Sequence, residues 1–190
     1  MRRAVAVLVG AVIAMTSLSA CTETPSMNTT YQSGDGTVTE IKPMNRTASV
    51  SWSGIANYVL PLSSNNLQGV VTVINFWYAA CAACRVEMPD IVELAEEYEG
   101  KVQFVGVNVR DTADTANAFK RSFKVNFPSI MDAESGDVVL AFTGVVTPSA
   151  VPTTLVIDRQ GRPAARILGV AEKATLKALI KTVYAEVEQK

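Results

Sequence analysis

Residues 70–84 read Val70-Val71-Thr72-Val73-Ile74-Asn75-Phe76-Trp77-Tyr78-Ala79-Ala80-Cys81-Ala82-Ala83-Cys84. The stretch up to Trp77 is a largely apolar, β-branched run, the pattern of a buried strand. Helical spacing starts directly after the second cysteine. Ile91, Leu94, Ala95 and Tyr98 recur three and four residues apart, and Gly100 supplies a stop. Pro89 falls inside this predicted helix and is expected to kink it. Cys81 and Cys84 therefore form a C-x-x-C pair at a strand-to-helix junction. Unpaired N–H groups and the helix dipole favour a thiolate at such a place.

Downstream, Val102 to Val109 reads as a second apolar strand. A helix capped by Asp111 or Asp114 is predicted to run to about Phe123. Phe127 to Met131 suits a short strand and Val138 to Phe142 a short helix. Thr153 to Ile157 is a third main strand, and the turn Asp158-Arg159-Gln160-Gly161 leads to its hairpin partner, Ala164 to Leu168. Leu176, Leu179, Ile180, Val183 and Val187 form the apolar stripe of a last helix. Upstream, Ser49 to Trp52 and Tyr58 to Leu62 suit an N-terminal hairpin at a sheet edge. The order implies a parallel crossover followed by an antiparallel hairpin, so the fold class is α/β, a central mixed β-sheet flanked by helices. A C-x-x-C beside a βαβ pattern reads as thioredoxin-like.

Composition narrows the chemistry. The chain has 190 residues, of which 48% are hydrophobic, enough for one sizeable domain. Its net charge of −1 gives no electrostatic footprint for nucleic acid. It contains no histidine, which excludes Ser-His-Asp and Cys-His catalysis, histidine metal ligands and C-x-x-C-H haem attachment.

The start of the chain looks like a targeting segment. Arg2-Arg3 is a basic n-region, Ala4 to Met15 an apolar h-region, and Thr16 to Ala20 is small and polar apart from Leu18. The strictly apolar stretch is short for a membrane span. Leu18-Ser19-Ala20-Cys21 resembles a bacterial lipobox, which implies lipidation of Cys21 and anchoring outside the cytoplasm. The expected organisation is a lipoprotein signal peptide (1–20), a lipidated cysteine and flexible tether (21–48) and one folded domain (49–190). As a coil, the tether would reach roughly 30 Å. Of three cysteines, lipidation of one would leave Cys81 and Cys84. A disulfide between them closes a very small loop and restrains the unfolded chain little, so it is better suited to redox exchange than to stapling.

Two motifs carry a family resemblance. Asn75-Phe76-Trp77 with Cys81-Ala82-Ala83-Cys84-Arg85-Val86-Glu87-Met88-Pro89 resembles the TlpA/ResA branch of thioredoxin-fold proteins. Val151-Pro152-Thr153-Thr154 followed by Ile157-Asp158-Arg159-Gln160-Gly161 resembles that branch's second signature. The resemblance covers about Ser49 to Lys190 and implies a thioredoxin-like fold with the branch's central αβ insertion. It also implies an extracytoplasmic protein disulfide reductase, several relatives of which keep apocytochrome c cysteines reduced for cytochrome c biogenesis. Tyr31 to Thr37, Asn108 to Asp111 and the lipobox are similar to actinobacterial CcsX-like lipoproteins. The implied partners are protein disulfide substrates and a membrane thiol-electron donor of the CcdA/DsbD type, with no cofactor or metal.

The resemblance also implies residue roles. Cys81 would be the attacking nucleophile and Cys84 the resolving thiol. Pro152 would be a cis-proline facing the disulfide, and the Val151 backbone would bind an extended substrate. Glu87 would be a partly buried acid that tunes the thiols or moves a proton, unless it is an exposed first-turn residue. Asn75 stands where cytoplasmic thioredoxins carry a buried aspartate. Trp77 is either substrate-binding surface beside Cys81 or core. The branch rarely has alanine at both intervening positions, so Ala82-Ala83 leaves the reduction potential open. A secreted disulfide oxidase of the Dsb type is therefore the alternative, and a thiolate metal-binding module a more remote one. A thiol peroxidase would carry Pro and Thr or Ser where this chain has Ile74 and Tyr78.

Overall fold

The computed structural model describes residues 29–33, 37–57, 59–147 and 150–186. In chain order the elements are strands β1 (Thr29–Gln32), β2 (Val38–Ile41), β3 (Ser53–Ala56), β4 (Leu60–Ser63) and β5 (Val71–Trp77). Helix α1 (Ala82–Glu97), β6 (Val102–Asn108), α2 (Ala113–Phe123), β7 (Ser129–Met131) and α3 (Asp137–Ala141) follow. Then come β8 (Thr153–Ile157), β9 (Pro163–Leu168) and α4 (Lys173–Ala185).

Among the described residues, nine strands join one sheet, in the order β1-β2-β9-β8-β5-β6-β7-β3-β4. β5 lies parallel to β6 and antiparallel to β8, so the sheet is mixed, in a thioredoxin-like arrangement. Every residue of β5 is buried, as its unbroken apolar run requires. Alternation along the strand divides the core. Val71, Val73 and Trp77 pack with α1, Phe119 of α2 and α4; Ile74 and Phe76 pack with Trp52, Val138 and Phe142. Asn75 falls on the side of Val73 and Trp77, toward α1. Burying each large apolar side chain contributes about 1.5–3 kcal/mol, so these two layers dominate the stability. Gly106 lets β6 approach: a Cβ there would lie 2.4 Å from Ser129 Oγ and 2.8 Å from Trp77 Nε1.

The segment between β6 and β8 holds α2, β7 and α3. α1 continues through Pro89. Two local expectations shift. The edge hairpin pairs β3 with β4, but its first strand begins at Ser53 rather than Ser49. Residues just before it serve the core instead: Trp52 is buried, and the Val50 N–H donates to the Gly161 carbonyl at 3.0 Å. The N-cap of α2 is Thr112, because Asp111 is turned to the Ala79 N–H. Tyr58 and Val187 lie outside the described residues.

The larger correction concerns the stretch expected as a flexible tether. β2 pairs with β9, β1 pairs with β2, and the folded unit therefore includes residues from Thr29 onward. Thr39 and Ile41 are buried. Arg46, its side chain 2% exposed, donates to Asp158 at 2.9 Å and pairs with Glu186 at 2.6 Å. A four-residue strand inside polar composition carries too little periodicity to stand out, and what holds it is pairing with β9. The proposed signal segment and Cys21 lie outside the described residues. Among those described, no helix is long and apolar enough to cross a membrane.

Candidate active site

Cys81 and Cys84 form a disulfide at the start of α1, with Cα atoms 5.2 Å apart. Cys81 is the N-cap: the Cys84 N–H donates to its Sγ at 3.0 Å. That N–H is one of the donors every helix start leaves unpaired. Aimed at sulfur, it favours the thiolate once the bond is reduced. Cys84 is fully buried and Cys81 nearly so, whereas Ala80 and Ala82 are exposed.

The sheet brings the second motif to the same place. Phe76, near the end of β5, pairs with Thr153 at the start of β8, so the residues just before β8 meet those just after β5. The Val151-Pro152 peptide is cis. The Val151 carbonyl oxygen lies 3.9 Å from Cys81 Sγ, a contact without a proton while the sulfur is in a disulfide. The Gly169 N–H holds the Pro152 carbonyl at 2.9 Å.

Three residues after Cys84 on α1, Glu87 is buried, 1% exposed. Its Oε1 accepts from Asn75 Nδ2 at 2.7 Å and its Oε2 from the Ala171 N–H at 2.7 Å. Asn75 Nδ2 also donates to Thr154 Oγ1 at 3.0 Å. Burial pushes the Glu87 carboxyl up to about 7, and the Ala171 and Asn75 donors oppose that only in part. The exposed alternative for Glu87 is thereby removed.

This raised value has a stability consequence. The folded state holds the Glu87 proton more tightly than the unfolded chain does. The associated stability is complete below about pH 4.5 and is lost as the pH rises through 7. The loss is about 3 kcal/mol. Glu87→Gln is expected to remove this slope, read as the urea midpoint against pH from 4 to 8. A wild-type midpoint that rises across that range would contradict the assignment.

Trp77 does not form substrate surface. It is 1% exposed and stacks on Phe119 with ring centroids 4.5 Å apart. The period-two pattern of β5 turns it inward, toward α2. Four residues around the site make contacts that the sequence motifs did not announce. Thr154 and Ala171 complete the Glu87 network, and Asp111 accepts from the Ala79 N–H at 2.6 Å and from Asn108 Nδ2 at 2.7 Å. Arg110 lies over the Tyr78 ring, 4.4 Å from its centroid.

A disulfide capping a helix, beside a cis-proline and on the same helix as a buried acid, on this sheet defines a class: proteins of the thioredoxin-like fold. Residues 56–163 match the AhpC/TSA family, and the chain belongs to that family. It is 34% identical over 101 residues to the thiol:disulfide interchange protein HelX of Rhodobacter capsulatus, covering 53% of each chain. It is 28% identical over 119 residues to the thiol-disulfide oxidoreductase ResA of Bacillus thuringiensis, covering 62% of this chain and 66% of ResA. The chain thus spans between half and two-thirds of these curated relatives. The crystal structure of a DsbF homologue from Corynebacterium diphtheriae superposes with a TM-score of 0.72 at 30% identity. That likeness covers 80% of this chain and 96% of the other.

Proposed function

We propose that this protein is an extracytoplasmic, lipid-anchored protein disulfide reductase, with Cys21 as the anchor. One observation carries the reading most strongly: the Cys81–Cys84 disulfide caps α1 with the Cys84 N–H aimed at the Cys81 sulfur. In the forward reaction the Cys81 thiolate attacks a substrate disulfide and expels one substrate thiolate. Cys84 then attacks Cys81 and releases the second. The products are a reduced substrate and the 81–84 disulfide, and two electrons have passed. Glu87 takes the proton that Cys84 gives up; its value of about 7 makes it an acceptor and a donor near neutral pH. The Val151-Pro152 edge presents backbone groups to an extended substrate segment.

The substrate class is secreted protein disulfides, with apocytochrome c cysteines the leading candidates, as the resemblance to the TlpA/ResA branch implies. A membrane thiol-electron donor of the CcdA/DsbD type returns the two electrons. Direction is tested by measuring the reduction potential and the reduction of an oxidised C-x-x-C-H peptide. The expected result is a potential well below about −180 mV with rapid peptide reduction. A potential near about −120 mV, with no peptide reduced, would identify the Dsb-type oxidase instead.

A further inference from the structure

We propose that Arg85 and Arg110 form a cationic clamp over the loop before Cys81, which selects partner segments bearing acidic residues beside their cysteines. The proposal rests on the thiol-exchange reading above and adds to it a substrate preference.

The loop joining β5 to α1, Tyr78 to Ala80, carries Cys81 on its end: the Cys81 N–H donates to the Tyr78 carbonyl at 3.2 Å. Each arginine is fixed to this loop. Arg110 lies over the Tyr78 ring at 4.4 Å. Arg85 lies 5.1 Å from the Phe123 centroid and 5.8 Å from that of Phe119, and its Nη1 donates to the Ala79 carbonyl at 3.3 Å. Both residues are exposed. Among the described residues, the ion pairs involve Arg46, Arg162, Lys173 and Lys177, and neither loop arginine has a carboxylate partner. Asp111, next to Arg110 in the chain, is the acid bound to this loop. It is half-buried, with Oδ2 taken by the Ala79 N–H and the Asn108 amide. Two guanidinium groups thus face solvent against one inward-turned carboxylate.

Stacking on an aromatic face costs an arginine little and leaves its N–H edge free, in the fork geometry that a carboxylate fits. Because the stacking already fixes both side chains, little conformational freedom remains to be lost on binding. Val86, 67% exposed, and the exposed Ala82 sit one turn apart on α1 and offer a small apolar contact next to Arg85 in the chain. A partner chain crossing Cys81 would meet apolar surface in the middle and positive charge beside it. Complementary charge of this kind acts mainly on the encounter rate and weakens with salt.

The test uses oxidised dithiol peptides of one sequence whose cysteines are flanked by glutamate, glutamine or lysine. The reduced full chain converts each peptide disulfide to two thiols and itself becomes the 81–84 disulfide. Second-order rates are measured at about 20 mM and about 1 M salt. The wild type is expected to reduce the glutamate peptide about tenfold faster than the lysine peptide at low salt, with the gap closing at high salt. The Arg85→Gln/Arg110→Gln variant is expected to lose that gap while keeping the rate on the glutamine peptide. Equal rates on both charged peptides at low salt, or a gap that persists in the double variant, would overturn the clamp. Should the variant fail to fold, the charge and salt series on the wild type decides alone. Reduction of the glutamine peptide without charge preference removes the clamp but leaves thiol exchange standing. Reduction of no peptide removes both.

Discussion

Cys81→Ser is expected to lower disulfide reduction by at least about a thousandfold, a loss of some 4 kcal/mol of transition-state stabilisation. The attacking species is a thiolate, and a serine hydroxyl is not ionised at neutral pH. Cys84→Ser is expected to behave differently. The donor aimed at the Cys81 sulfur is the backbone N–H of residue 84, which the substitution retains. The first attack therefore proceeds, but nothing resolves the mixed disulfide. Turnover stops after one event, and each protein molecule gains the mass of its substrate. Mass spectrometry of partners trapped on Cys84→Ser would name the substrates directly. Multiple turnovers at the wild-type rate by Cys84→Ser would exclude this division of labour.

Arg46→Ala is expected to cost about 3 kcal/mol of folding stability without slowing thiol exchange. Its guanidinium is buried between the half-exposed Glu186 carboxylate and Asp158, and its Nε donates to the Ile41 carbonyl at 3.0 Å. Asp158 retains Arg162 at 2.8 Å after the substitution, which places the loss at the low end for a broken buried pair. For a domain of this size the midpoint of thermal unfolding should fall by about 6–12 °C. Asp158 follows the last residue of β8, at the end of the sheet remote from the disulfide, so peptide reduction at 25 °C should be unchanged. An unchanged midpoint would mean that the Arg46 ion pairs contribute nothing to stability in solution.

The contrast between these two sites explains what could be read from the sequence. β5, α1, β6 and β8 announce themselves because long apolar periodicity has one physical solution, and the C-x-x-C sits where two such periods meet. Pro152 is legible because β8 follows it immediately. The β1–β2 edge is not legible: Val38-Thr39-Glu40-Ile41 is stabilised by partners in β9 and by Arg46 reaching Asp158, far apart in the chain. Trp77 belongs to both worlds, since its position in β5 fixed its direction but Phe119 decided what it would touch. The Glu87 network depends on a backbone N–H at Ala171, and no side-chain pattern reports a backbone donor.

The register of the edge strands has a practical meaning. Thr29 pairs with Ile41, Glu40 with Ala165, Ala165 with Val156, and Val156 with Val73. Cys81 follows the opposite end of β5, so the chain joins the sheet at one pole and carries its disulfide at the other. A handle placed ahead of Thr29, whether a lipid or an affinity tag fixed to a sensor surface, holds the molecule by its base and leaves the working tip clear.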